Sequence, residues 1–141
     1  MLFRSGLGTG LGLTIGAKLA EPGKVCINFM GDAAFGMVGL DFETAVRSNI
    51  PIITVVLNNS TMAVETTAMA DSHRLYNTRD LGGDYADMGR AMGGYAERIE
   101  DPAHIIQAFQ RARRVTEDEG KAVLLEFITS AETEKSHGRA F

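Results

Sequence analysis

Two apolar, β-branched runs that each stop at a short polar motif constrain this chain more than any other feature. Lys24-Val25-Cys26-Ile27-Asn28-Phe29-Met30 leads into Gly31-Asp32-Ala33, and Ile52-Ile53-Thr54-Val55-Val56-Leu57 leads into Asn58-Asn59. Such runs read as buried strands of a parallel sheet. Between them, Val38, Phe42, Ala45 and Val46 recur at steps of three and four, with Asp41, Glu43 and Arg47 turned elsewhere. The spacing predicts an amphipathic helix over Val38–Asn49, about three turns long. Asn49 and Pro51 end it, because proline pushes the residue before it out of helical conformation. Strand, helix, strand is a βαβ unit of nearly fixed handedness. Both polar motifs therefore fall on the carboxyl edge of one sheet.

Ligands of open parallel sheets bind in the crevice outside that edge. A carboxylate, Asp32, and an amide, Asn59, delivered there beside small residues suit a divalent cation carrying a diphosphate. Mg2+ is small and hard, takes six oxygens, and keeps water and phosphate oxygens in its shell. Asp32, Asn59 and a nearby backbone carbonyl supply the protein's share. Gly31, Ala33 and Ala34 are small enough for backbone N–H groups to approach phosphate oxygens. No soft metal set exists: the chain has one Cys, three scattered His and no Cys-x-x-Cys.

Gly-Asp-Gly followed, one helix and one strand later, by Asn-Asn is the signature of thiamine diphosphate-dependent enzymes. On Gly31-Asp32-Ala33 and Asn58-Asn59, this chain resembles the C-terminal cofactor-binding domain of the acetolactate synthase, benzoylformate decarboxylase and pyruvate decarboxylase group. Leu7-Gly8-Thr9-Gly10-Leu11 and Ile15-Gly16-Ala17-Lys18 are similar to the family's glycine-rich opening helix, so the resemblance spans nearly the whole chain. It implies thiamine diphosphate and Mg2+ as cofactors, with Asp32, the Asn59 side chain and the Thr61 backbone carbonyl on the metal. It also implies Leu7 near the position that props the cofactor in its bent form; Met62 reads as core or cleft filler and is a candidate cofactor-binding residue. Ala33 stands where the family has glycine, and alanine takes positive φ less cheaply. The resemblance implies a lyase or transferase acting on 2-oxo acids. Its activating glutamate would come from a pyrimidine-binding domain or subunit in trans, within a homo- or hetero-oligomer. No catalytic residue is assigned here, so the isolated chain is expected to be inactive, a fragment or split subunit. The alternative is a non-catalytic or degenerate cofactor-domain subunit that binds a partner chain. The intact ligand pair argues against decay.

The rest of the chain fits a three-layer α/β sandwich with a mostly parallel sheet, the diphosphate-domain fold. Ser60–Gly83 reads as a functional loop with one helical turn. Tyr85–Met92 reads as a helix stopped by Gly93-Gly94, and Tyr95–Ile99 as a strand. Asp101-Pro102 caps a helix running to about Glu119, and Ala122–Ile128 is a buried strand. Residues 1–129 form the cofactor-binding domain, truncated at its N-terminus relative to the family, and 130–141 a polar tail.

At 141 residues and 45% hydrophobic content, the chain has material for one core. A net charge of −4 with dispersed Lys and Arg points away from nucleic acid and anionic membranes. No apolar run approaches the roughly 20 residues of a membrane span, and Cys26 reads as a reduced core residue, so a cytoplasmic location is the default. The glycines at 6, 8, 10 and 12 satisfy no G-x-G-x-x-G frame, and neither lysine-bearing glycine segment satisfies a Walker A frame. His73, His104 and His137 read as loop or solvated residues, and Glu65 either reaches the cleft or is solvated.

Overall fold

The structure, a computed structural model, describes residues 7–63 and 69–131. Four strands form one all-parallel sheet: β1 (Ile27–Gly31), β2 (Ile53–Asn58), β3 (Tyr95–Ile99) and β4 (Val123–Ile128), in the order β1-β2-β4-β3. Helices α1 (Thr9–Ala20), α2 (Asp32–Val38), α3 (Asp41–Arg47), α4 (Ala70–Tyr76), α5 (Tyr85–Ala91) and α6 (Ile105–Asp118) complete the described chain.

Alternation along the strands divides the core in two. Ile52, Val56 and Leu124 face Leu11 of α1, Ala34 and Phe35 of α2, Phe42 and Ala45 of α3, and Ala86 of α5. Ile53, Val55, Val123, Leu125 and Phe127 face Ala108, Ala112 and Val115 of α6. The result is a helix–sheet–helix sandwich, with the Phe109 ring edge-on to Phe127 at 5.6 Å.

Two elements differ from the sequence reading. The run from Lys24 pairs only from Ile27 and forms an edge strand covered on one face: Asn28 and Met30 are buried, whereas Ile27 and Phe29 are 42% and 59% exposed. Cys26 lies just ahead of it, half-buried.

The helix expected over Val38–Asn49 is shorter, α3 over Asp41–Arg47, and a separate helix, α2, precedes it over Asp32–Val38. Gly31 is the extended N-cap of α2, which begins at once on Asp32, where an acidic residue suits the positive helix end. Gly39 breaks the run. A Cβ there would lie 2.6 Å from the Phe35 ring and 2.8 Å from the Phe35 carbonyl, which accepts the Gly39 N–H. Asn49 does end α3, in the left-handed conformation at φ 52°.

Within Ser60–Gly83 the expected single turn is a seven-residue helix, α4; the elements after it fall where expected. α5 stops at Gly93, φ 88°. The Asp101 side chain accepts from the Ala103 N–H, capping a short 3-10 turn over Pro102–His104 that leads into α6. The tail expected over 130–141 lies largely outside the described residues, as do Glu65 and His137.

Candidate functional site

The register that pairs Gly31 with Leu57 brings the two polar motifs to the same sheet edge. Asp32 follows β1 directly as the first residue of α2, and Asn59 follows the last residue of β2.

Asp32 is only 4% exposed. Its Oδ1 accepts from the Ala33 backbone N–H at 2.8 Å, but Oδ2 is buried with no hydrogen-bond partner among the described residues. Leaving a buried acceptor unpaired costs about 1–3 kcal/mol. A ligand that this oxygen binds removes the penalty. A hard cation fits the donor chemistry, because the Asp32 carboxylate, the Asn59 Oδ1 and the Thr61 carbonyl are all oxygen donors.

On the β2 side the chain makes a tight turn. Asn58 Oδ1 accepts from the Ser60 N–H at 3.0 Å and lies 3.2 Å from the Ser60 hydroxyl, while Asn59 Oδ1 accepts from the Thr61 N–H at 3.1 Å. Ser60 is left-handed at φ 57°. Asn59 Oδ1 keeps a second lone pair. Thr61 bridges Asp80, Leu81 N–H donates to the Ser60 carbonyl, and Met62 N–H donates to the Arg79 carbonyl, so the returning chain buttresses the turn.

The remaining sequence-predicted residues are placed as follows. Leu7 is 62% exposed and precedes Gly8, the left-handed N-cap of α1. A Cβ on Gly31 would meet nothing within 4 Å, which leaves open space at the end of β1. The Ala33 N–H is engaged by Asp32, and Ala34 is buried in the core. Met62 is half-buried beside Thr61. His73 is half-buried on α4, and the exposed His104 ends the 3-10 turn.

One group escaped the sequence reading. Glu126, inside β4, is fully buried and accepts from Asn58 Nδ2 at 2.6 Å and from the Ala86 N–H at 2.9 Å. Its signal was a single carboxylate within Ala-Val-Leu-Leu-Glu-Phe-Ile, a run otherwise apolar throughout. The Tyr85 hydroxyl donates to the Gly82 carbonyl at 3.4 Å, and its ring lies edge-on to Phe35. Burial first, then the carboxylates of Asp32 and Glu126, push its hydroxyl above the ordinary tyrosine value.

A parallel α/β sandwich with oxygen donors gathered at the carboxyl edge of its strands is the class of domain defined here. The chain belongs to the family described as "Thiamine pyrophosphate enzyme, C-terminal TPP binding domain", whose profile matches residues 3–127. It is 34% identical over 108 residues to an acetolactate synthase large subunit of Mycobacterium tuberculosis, covering 75% of this chain and 20% of that protein. It is 32% identical over 130 residues to a sulfoacetaldehyde acetyltransferase of Alcaligenes xylosoxydans, covering 89% and 21%. Among solved structures, a thiamine diphosphate-dependent 4-hydroxybenzoylformate decarboxylase of Rhodococcus jostii superposes with a TM-score of 0.73 at 23% identity, over 91% of this chain and 24% of that one. This likeness shows the shared fold. The chain thus spans about one fifth of the length of the curated relatives it matches.

Proposed function

We propose that this chain is the diphosphate- and Mg2+-binding part of a thiamine diphosphate-dependent enzyme acting on 2-oxo acids, a decarboxylase or an acetolactate synthase-like carboligase. The observation that carries the reading is the buried, unpartnered Oδ2 of Asp32 on the same edge as Asn59. Asp32, the Asn59 side chain and the Thr61 carbonyl hold the cation. Gly31, Ala33 and Ala34 flank the diphosphate, and Leu7 and Met62 offer apolar support. When bound, the cofactor supplies the nucleophilic carbon and the electron sink for chemistry at a 2-oxo carbonyl. Residues 1–129 act as this domain, and 130–141 are a polar tail. The group that activates the cofactor belongs to a pyrimidine-binding domain or subunit, so the chain holds half a site and works within an oligomer.

Calorimetric titration with thiamine diphosphate tests the reading. Binding is expected with Mg2+ and not with excess chelator, and modest affinity is expected because the pyrimidine end lacks its pocket. Equal affinity under both conditions contradicts it.

A further inference from the structure

Glu126 has no evident role in building the sheet. Its neighbours along β4, Leu125 and Phe127, are apolar, and a carboxylate buried in a central strand is unfavourable unless every lone pair is used. Its bonds lead to the carboxyl edge. Oε1 holds Asn58 Nδ2 at 2.6 Å, and Oε2 holds the Ala86 N–H at the start of α5. Arg98, its register partner on β3, brings a guanidinium to 3.5 Å from Oε1 and also reaches Asp84, the N-cap of α5, at 3.7 Å. Asn58 cannot rotate while Glu126 holds its amide, so its Oδ1 stays on Ser60. Ser60 is the left-handed residue between Asn59 and Thr61. A continuous chain of bonds therefore runs from β4 through Asn58 into the turn that carries Asn59 and Thr61.

We propose that Glu126 is a positioning residue for the cation: through Asn58 it locks the Asn59–Thr61 turn in the shape that ligates the metal. The role rests on the Mg2+ reading of Asp32 and Asn59. It explains why Asn58 precedes the ligand: its side chain faces inward to be held, while Asn59 is half-buried at the edge. Outer-shell partners of metal ligands carry about 10–100-fold in metal affinity.

The test is Glu126→Gln. Glutamine puts an NH2 where one carboxylate oxygen stood, so of the three donors at Glu126, Asn58 Nδ2, the Ala86 N–H and the Arg98 guanidinium, at least one loses its acceptor. The readout is the Mg2+ concentration that half-supports thiamine diphosphate binding, measured alongside the melting temperature and hydrogen exchange of the metal-free protein. The expected result is a rise of about tenfold or more in that concentration, with faster exchange over residues 58–61 and unchanged exchange in α6. Asn58→Ala interrupts the same chain while leaving Glu126 bonded to Ala86 and Arg98. It must raise the Mg2+ requirement alike, and the double variant must add little. A lowered melting temperature with the half-saturating Mg2+ within twofold of the parent, in either variant, overturns the role. If the parent protein itself binds without Mg2+, the cation reading fails, and this role falls with it. If Glu126→Gln does not fold, Asn58→Ala alone decides.

Discussion

At the residue scale, the account turns on what Asp32 does without metal. As the first residue of α2 it interacts favourably with the helix dipole, worth about 0.3–1 kcal/mol, but its unpaired Oδ2 opposes this by about 1–3 kcal/mol. The second effect wins. Asp32→Ala is therefore expected to leave the metal-free domain as stable as the parent or more so in chemical denaturation with chelator present. Asn59→Ala should weaken Mg2+-dependent binding less than Asp32→Ala does, because water can replace a neutral amide ligand; titrating both variants checks the order. A second carboxylate, Glu97, bears on stability. Glu97 receives two bonds from Arg111, at 2.8 and 2.6 Å, and this guanidinium holds it below the ordinary glutamate value of 4.5. A lowered folded value means the stabilisation is present above pH about 4.5 and lost as pH falls through the folded value. The stability gap between the parent and Glu97→Gln should thus be open at pH 7 and narrow as pH falls below about 4.5, as read by melting curves. The ligand candidates were legible because Asp32 and Asn59 stand at the ends of apolar runs. Glu126 was not, because its partners Asn58 and Ala86 are remote in sequence and meet it only through the sheet order.

At the element scale, strands and glycine-terminated helices were legible, and the segment after Asp32 was misread. Periodicity joined Val38 to Phe42 across Gly39, although the turn there depends on the Phe35 ring filling the space a side chain would need. Sequence spacing does not reveal that close approach. It also did not reveal that β1 is an edge, since an apolar run reads alike with one face covered or two. The glycines offer a paired test. A Cβ on Gly94 would lie 2.6 Å from the fully buried Phe42 ring, so Gly94→Ala should destabilise by about 1–3 kcal/mol. Gly36 is exposed inside α2 with nothing within 4 Å, so Gly36→Ala should stabilise by about 0.5–1 kcal/mol. Urea denaturation of both variants checks the opposite signs.

At the scale of the whole molecule, the alternation of strand and helix gave the sandwich, because both faces of the central strands had to be covered. Several apolar side chains remain uncovered, among them Leu7, Leu13 and Leu19, each 62–64% exposed on or beside α1. Among the described residues no helix is long and apolar enough to cross a membrane. On the half-site account, the purified chain should turn over neither pyruvate nor benzoylformate at a measurable rate, and a pyrimidine-domain partner should restore turnover. Decarboxylation by the chain alone would refute that. The central claim is that Asp32 is a ligand and not a structural cap. It is tested most directly by the rise in melting temperature that thiamine diphosphate and Mg2+ together produce in the parent and in Asp32→Ala. The account predicts a clear rise in the parent, none with chelator, and none in Asp32→Ala, whose metal-free melting temperature equals or exceeds the parent's. An Asp32→Ala protein that is unfolded without metal, or that keeps the full ligand-induced rise, would contradict it.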